Sequence, residues 1–402
     1  MRAGVNCSVW SCREALLSLP LVLWFWLVAA PALLLSLVSL ISERGRAAYI
    51  ERRLHAEITG LPPASVIVPV KGEDHGLREN LAALASLDYP DYELIITAHA
   101  AADIPPAVLP ANAKIVLAHG SETKASEKVQ NLAAAVHATR QQTRIFAFAD
   151  SDGHVTPGWL RALVAPLGEP GVGAATGYRW FLPESGGLPS LLRGVWDAVP
   201  AGMLGPGDNP FVWGGAMALP KKIFAESGVL EYWENAISDD YSLSEAVHAA
   251  GYTIAFAPGA LTPSPEPISA LGLFWWTRRQ MMITRAYNFR MWFRGLAAHL
   301  FYCGAMAACL AAGLHGHHVA WWTLAALLLP GMSKGAHRLS LARACLPEYT
   351  RWFRRYGWLH VALVPLATWL WLISLLSSSF GSTIKWRGYR YDLKKRVVDQ
   401  RV

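Results

Sequence analysis

Three tracts of the chain carry no Asp, Glu, Lys or Arg: Ala15 to Ser42, Gly295 to Ser333 and Tyr356 to Ile384. Between the first and second, from about Leu54 to Arg290, apolar residues instead alternate with polar ones at the periods of strands and helices. Ser65 to Val70 reads as a β-branched strand, followed by a turn at Lys71-Gly72 and a helix from Leu77 to Ser86. Tyr92 to Thr97 and Lys114 to Leu117 predict two more strands, and Lys124 to Arg140 a helix. Arg144 to Ala149 predicts a fourth strand, which ends at Asp150-Ser151-Asp152. Strands alternating with helices predict an α/β fold with a mostly parallel sheet, and such sheets bind ligands at the carboxyl ends of their strands.

Each charge-free tract is long enough for a bilayer core, which needs about 20 apolar residues per helix. Composition agrees: of 402 residues, 53% are hydrophobic and 16% charged, with mean hydropathy +0.25. A soluble domain has about 25% charged residues, so part of this chain belongs in lipid. The predicted organisation is an arm over 1–14, an uncleaved anchor over 15–42, a globular domain over 54–290, a membrane region over 295–384 and a basic tail over 385–402. His315, Gly316, His317 and His318 split the second tract into two short spans. The third spans once or re-enters; four full spans would put the tail on the side opposite the globular domain. An interfacial helix with Trp352 and Phe353 is predicted over about 338–355.

Net charge is +7, and the cations cluster beside the apolar tracts. Arg44, Arg46, Arg52 and Arg53 follow the anchor, against Arg2 and Arg13 before it. The positive-inside rule therefore puts the globular domain in the cytoplasm. Lys334, Arg338, Arg343, Arg351, Arg354 and Arg355 fall on the same side, so anionic lipid headgroups, not nucleic acid, are the expected partner. Cys7, Cys12, Cys303, Cys309 and Cys345 have no metal-ligand spacing, which excludes a disulfide scaffold and a cysteine metal site.

Candidate chemistry centres on carboxylates. Asp150 and Asp152 at a strand end can hold a divalent cation that neutralises a diphosphate; Asp-x-Asp alone also suits a solvated turn. Ser238-Asp239-Asp240-Tyr241 opens a helix from Ser242 to Ala250. Ser238 or Asp239 suits an N-cap, and one aspartate there can act as a general base toward an alcohol. Trp213-Gly214-Gly215 suits a loop allowing close backbone approach to a sugar. His315, His317 and His318 have ligand spacing but fall in a predicted turn. Trp386 and Arg387 suit an interfacial anchor for the tail.

The order of Val66 to Gly72, Arg78-Glu-Asn-Leu81, Leu87 to Glu93, Lys128-Val-Gln-Asn131, Asp150-Ser-Asp152, Trp213-Gly-Gly215, Asp239-Asp-Tyr241 and Ile384-Lys-Trp-Arg-Gly388 with Tyr391 resembles the ceramide glucosyltransferase group of family-2 glycosyltransferases, whose bacterial relatives include hopanoid-associated transferases. The resemblance runs over roughly Pro63 to Tyr391. It implies a glycosyltransferase-A catalytic domain that inverts the anomeric centre, with a UDP-sugar such as UDP-glucose as donor and a membrane lipid hydroxyl, as in ceramide, as acceptor. It implies an integral protein of a bacterial inner membrane with its catalytic domain cytoplasmic. Carried over by position, Asp150 lies near the nucleotide, Asp152 binds Mg²⁺ or Mn²⁺, and Asp240 deprotonates the acceptor. Asp239, Trp213, Gly214 and Gly215 lie on the acceptor side. Lys71 and Lys128 fall at the donor site, and Arg279, Gln280 and Arg285 are the polar candidates for diphosphate or acceptor contacts.

The sequence departs from the group twice. Thr97-Ala-His-Ala100 puts alanine where relatives carry an aspartate for the nucleotide base, leaving His99 or Asp103 to substitute. Arg278 to Arg285 carries Met282 and Ile283 where relatives have arginine and tryptophan, which argues against a processive polymerase. Two rival readings stand beside lipid glycosylation: transfer to polyprenyl phosphate, an acceptor that needs no base, and an inactive membrane scaffold that keeps the fold.

Overall fold

The computed structural model describes residues 9–41, 43, 45–56, 60–118, 124–185, 187–395 and 397–401. Cys7, Arg2, Ser42 and Arg44 lie outside the described residues, as does most of the predicted arm.

Seven strands form one sheet: β1 (Ala64–Pro69), β2 (Tyr92–Ala98), β3 (Ala113–Leu117), β4 (Ile145–Ala149), β5 (Val172–Phe181), β6 (Ala216–Pro220) and β7 (Thr253–Ser264), in the spatial order β3-β2-β1-β4-β6-β5-β7. β1 to β4 are mutually parallel, as predicted; β6 runs antiparallel to β4 and β5, and β5 pairs in parallel with β7. The order reverses direction between β1 and β4. That switch point opens a crevice outside their carboxyl ends.

The pleat of β4 decides what lies in the crevice. Its five residues are all buried, and successive side chains take opposite faces. Ala147 and Ala149 join a core with Val66, Val68 and Leu81. Phe146 and Phe148 face the other way, against Phe224 and Trp233 and the buried stripe Val129, Leu132 and Val136 of the helix Glu127–His137. Continuing this alternation sends Asp150 toward the end of the sheet covered by that helix, which begins beside Lys128.

The apolar tracts are helical where described. The stretch Phe25–Leu54 and the helix Phe289–Leu314 are long and apolar enough to cross a membrane, and Pro347–Ala362 and Val364–Ser378 form a pair bent by 63°. Leu27, Leu34, Phe301, Leu314, Trp322 and Phe380 leave large apolar side chains exposed along this region. His315 to His317 separate the helices Phe289–Leu314 and His318–Cys345; of this pair, only Phe289–Leu314 is among the helices long and apolar enough to cross a membrane.

Three expectations are corrected. No separate interfacial helix occupies 338–355: His318–Cys345 runs through its first half, and Pro347, which cannot continue a helix, opens the short turn before Thr350–Ala362. Phe353 and Trp352 face protein there; Phe353 is buried, and Trp352 donates to the Pro183 carbonyl at 3.0 Å. Two cations read as lipid-facing are internal, because Arg46 and Arg338 both pair with the buried Glu43, at 2.8 and 3.0 Å. The tail is not a basic extension but a second, antiparallel sheet of β8 (Thr383–Trp386), β9 (Tyr389–Asp392) and β10 (Val397–Arg401). It takes Ile384 out of the helical tract and packs Ile384, Tyr391 and Leu393 against Ile237 and Met282 of the α/β domain.

Candidate active site

The crevice is lined by Val70 and Lys71 after β1, by Asp150, Ser151 and Asp152 after β4, by Lys128 and Asn131, and by Trp386, Arg387 and Tyr391 from the tail. Asn80, from the Arg78-Glu-Asn-Leu81 motif, donates to the Ser151 carbonyl at 3.0 Å and fixes the Asp150–Asp152 loop from below. Ser151 donates to Asp74 at 2.6 Å.

Lys128 is the hub of the carboxylates. Its Nζ lies 2.9 Å from Asp150 Oδ1 and 3.0 Å from Asp239 Oδ2. Burial opposes its charge, yet Asp150, Asp239 and Asp240 together hold it charged above the ordinary lysine range. Asp239 is almost fully buried. Burial first, then repulsion from Asp240 and Asp150, outweigh the pull of Lys128 and push its carboxyl up to about 6.

Asp240, one residue on, is half-buried and differently held. Its Oδ1 accepts from the Ser238 hydroxyl and, at 2.8 Å, from the Tyr241 amide; its Oδ2 accepts from the Gly214 amide at 3.3 Å. Ser238 occupies the N-cap position of Asp239–Ala249 without capping it, because its hydroxyl is turned to Asp240. Asp240 thus has its carboxylate oriented by three donors at the start of a helix.

Gly214 and Gly215 fit between the acids. A Cβ on Gly214 would stand 2.6 Å from Asp239 Oδ2, and one on Gly215 would stand 2.7 Å from Asp150 Oδ2. The two glycines, expected on the acceptor side, also leave the room that these carboxylates occupy. Asp150 and Asp240 therefore flank one dipeptide, and Lys128 ties Asp150 to Asp239 of the other motif.

Arg179 was missed by the sequence reading. It lies across Asp152 with two contacts, Nη2 to Oδ1 at 2.5 Å and Nη1 to Oδ2 at 3.1 Å, and Nη2 is 3.4 Å from Asp150 Oδ2. Burial raises the Asp152 carboxyl, but Arg179 more than offsets this and holds it below the usual carboxylate range. The guanidinium also sits over the Trp213 ring, 5.1 Å from its centroid. An arginine within the apolar strand Val172–Phe181 was the available signal, since a buried cation needs a partner. Glu266 is a further neighbour, 3.8 Å from Arg179 and 3.3 Å from Arg193.

The remaining expected residues divide. Lys71 pairs with Glu127 at 2.7 Å at the crevice wall. Arg279 is half-buried with its guanidinium 5.5 Å from the Trp386 ring, at the same mouth. Arg285 is turned away, bonded to the Gly381 carbonyl and resting over Trp292. Gln280 is half-buried on the helix Ala270–Tyr287 and offers its carbonyl to Thr284 at 2.9 Å. Met282 is fully buried as a seat for the tail. Asp103 closes its own turn, accepting from the Ala100 amide at 3.1 Å, while His99 keeps a buried Nδ1 without a partner.

Among the described residues no three His, Cys, Asp or Glu side chains converge as a metal cage. The site nonetheless suits a divalent cation of the kind held by one or two carboxylates plus phosphate oxygens. Oxygens of both Asp150 and Asp152 already converge on one cationic nitrogen of Arg179. Asn131 is almost fully buried at the crevice and its Oδ1 has no partner, an acceptor left for a ligand.

A parallel-dominated sheet with acids and an amide acceptor at its switch point defines an α/β protein built to bind a ligand at its strand ends. The chain belongs to glycosyl transferase family 21, whose model matches residues 24–398. No curated protein matches the sequence. Among solved structures, the chain is similar to the mannosyltransferase PcManGT from Pyrobaculum calidifontis in complex with GDP-Man and Mn²⁺ (19% identity over 88% of this chain and 97% of that one, TM-score 0.49). It is more distantly similar to GalNAc-T7 with UDP, GalNAc and Mn²⁺ (12%, 60% and 51%, TM-score 0.39). Glucosyl-3-phosphoglycerate synthase from Mycobacterium tuberculosis with Mn²⁺ and UDP-Glc is a third (16%, 56% and 79%, TM-score 0.36).

Proposed function

We propose that this family-21 glycosyltransferase moves a hexose, glucose, from a UDP-sugar to the hydroxyl of a membrane lipid such as ceramide, with inversion at the anomeric carbon. The observation that carries the reading is the placement of Asp150 and Asp240 on either side of Gly214-Gly215. It supplies acids of two different environments, Asp150 in the crevice and Asp240 across the dipeptide from it. Asp152 and Asp150 would hold Mg²⁺ or Mn²⁺, which when bound supplies positive charge to the diphosphate leaving group.

The chain's own groups account for the rest. Asp240, half-exposed and oriented by Ser238, Gly214 and Tyr241, takes the proton of the incoming alcohol. The buried Lys128 keeps Asp239 and Asp150 in place and balances their charge. Trp213 and Gly214, next to Asp240, form the acceptor side. Lys71 and Asn131 line the donor side.

A lipid acceptor is supported by the exposed apolar helices. We read Phe25–Leu54 as an anchor and the helices Phe289–Leu314 and His318–Cys345 as a pair of spans, with the bent pair re-entering. Under this reading the tail sheet returns to the side of the catalytic domain, in keeping with its packing on Met282. Anionic headgroups would meet the exposed Arg351 and Arg354.

The test is incubation of membranes containing the protein with a panel of labelled nucleotide sugars, followed by mass analysis of extracted lipids. A divalent-metal-dependent hexosyl lipid is expected with a UDP-sugar. Label on polyprenyl phosphate, or no turnover with any donor, defeats the reading in favour of the phosphate-acceptor or scaffold alternative.

A further inference from the structure

The tail sheet has an unusual tip. β8 and β9 pair up to Trp386 opposite Tyr389, so Arg387 and Gly388 form a two-residue hairpin loop. Both have positive φ, 50° and 80°, and Arg387 is the one non-glycine with positive φ among the described residues. Such turns favour Asn, Asp or Gly at the first position. A long cationic side chain there is disfavoured by the turn itself, so its value lies in what it reaches.

It reaches the crevice. Arg387 Nη2 lies 2.6 Å from Asp74 Oδ1 and Nη1 3.3 Å from the Lys71 carbonyl. Asp74 also receives the Ser151 hydroxyl, so one carboxylate separates this guanidinium from the Asp150–Asp152 loop. The hairpin is fixed on both sides: Lys71 Nζ stands 4.3 Å from the Tyr389 ring, and Arg279 stands 5.5 Å from Trp386. The Arg279 guanidinium makes no hydrogen bond or ion pair among the described residues. Arg387 lines the crevice, Arg179 lies on its Asp152 and Arg279 stands over its Trp386, the last of the three lacking an anion. A diphosphate has the charge to satisfy them.

Resting on the donor-site reading above, we propose that the tail hairpin forms one wall of the donor site and that Arg387 exchanges Asp74 for the diphosphate of the bound nucleotide. In the transfer, the bond from the anomeric carbon to the diphosphate oxygen breaks and its electron pair stays with the diphosphate. The acceptor oxygen bonds to that carbon and its proton passes to Asp240. Arg387 contacts the departing group, and Asp74 holds the guanidinium in waiting when no nucleotide is present.

The experiment is calorimetric titration of the full-length protein in detergent with UDP and with UMP, each with Mn²⁺. Arg387→Met is expected to weaken UDP at least tenfold and UMP far less, so that the ratio of the two affinities falls. Asp74→Asn frees Arg387 and is expected to raise the affinity for UDP relative to UMP. Arg387→Lys, which keeps charge in the turn, should recover part of the loss and stands in if the methionine variant does not fold. The proposal is overturned if Arg387→Met binds UDP within twofold of wild type. It is equally overturned if Asp74→Asn and Arg387→Met weaken UDP and UMP alike, the result of a pair that only docks the tail. Failure of the wild-type protein to bind UDP removes the UDP-donor reading together with this proposal; normal wild-type binding with an unaffected variant removes the hairpin alone.

Discussion

The Nζ of Lys128 stands 3.0 Å from the Oδ2 of Asp239, and this contact joins the helix that precedes β4 to the helix that carries the candidate base. Lys128 faces two carboxylates at contact distance and feels a third, so its removal leaves buried like charges without compensation. Lys128→Met is expected to destabilise metal-free protein by about 3–5 kcal/mol at pH 8.

The same cluster sets a pH dependence. Burial and the neighbouring carboxylates push the Asp239 carboxyl up to about 6 from an ordinary 3.8, so between those values the folded state holds more protons than the unfolded one. Through this group, stability falls as pH rises across that window, by on the order of 2–3 kcal/mol, and is level above it. Losing Lys128 moves the carboxyl higher still, so the melting-temperature deficit of Lys128→Met should shrink from pH 8 to pH 5. An equal deficit at both pH values in EDTA would contradict the charge argument.

Asp240→Asn keeps the shape and loses the proton acceptor. Turnover is expected to fall by about 10²-fold or more, while nucleotide binding, measured separately, stays close to wild type. Retained turnover would mean an acceptor that arrives already ionised.

Gly214→Ala places a methyl 2.6 Å from Asp239 Oδ2 and 3.0 Å from Lys128 Nζ. Overpacking of this kind costs about 1–3 kcal/mol, and the shift would disturb the amide that orients Asp240. Gly168→Ala, with open space around it, is the control and should change stability by about 0.5 kcal/mol or less. Denaturant midpoints compare the two; indistinguishable values would show that the loop yields.

Arg179 and a metal ion would compete for Asp152. EDTA should abolish transfer and Mn²⁺ or Mg²⁺ restore it, and Asp152→Asn should weaken Mn²⁺ binding by about tenfold or more. Arg179→Met should instead tighten Mn²⁺ binding in the absence of nucleotide, because the 2.5 Å contact to Asp152 is gone. Electron paramagnetic resonance of free Mn²⁺ reads both; weaker binding in Arg179→Met would assign the arginine a different part.

Local pattern alone placed β1, β2, β3 and β4, because each is a short apolar run bounded by turn residues, and it placed Asp150 and Asp152 at a strand end for the same reason. The three charge-free tracts were likewise legible from composition. Helix ends were less so: the helix predicted from Lys124 begins at Glu127, where Ser126 accepts from the Val129 amide.

The placement of Asp150 and Asp240 on either side of Gly214 and Gly215, the closure of Arg179 over Asp152, and the return of Arg387 to the crevice were decided by the tertiary structure. Each joins residues far apart in the chain, and their proximity follows from strand order and from how Ile384 and Tyr391 pack on Met282. Periodicity fixes which face a side chain takes within its own element. Which other element meets that face depends on the burial of surfaces contributed by the whole chain, and for Arg387 that burial turned an apparent membrane anchor into a neighbour of the acids.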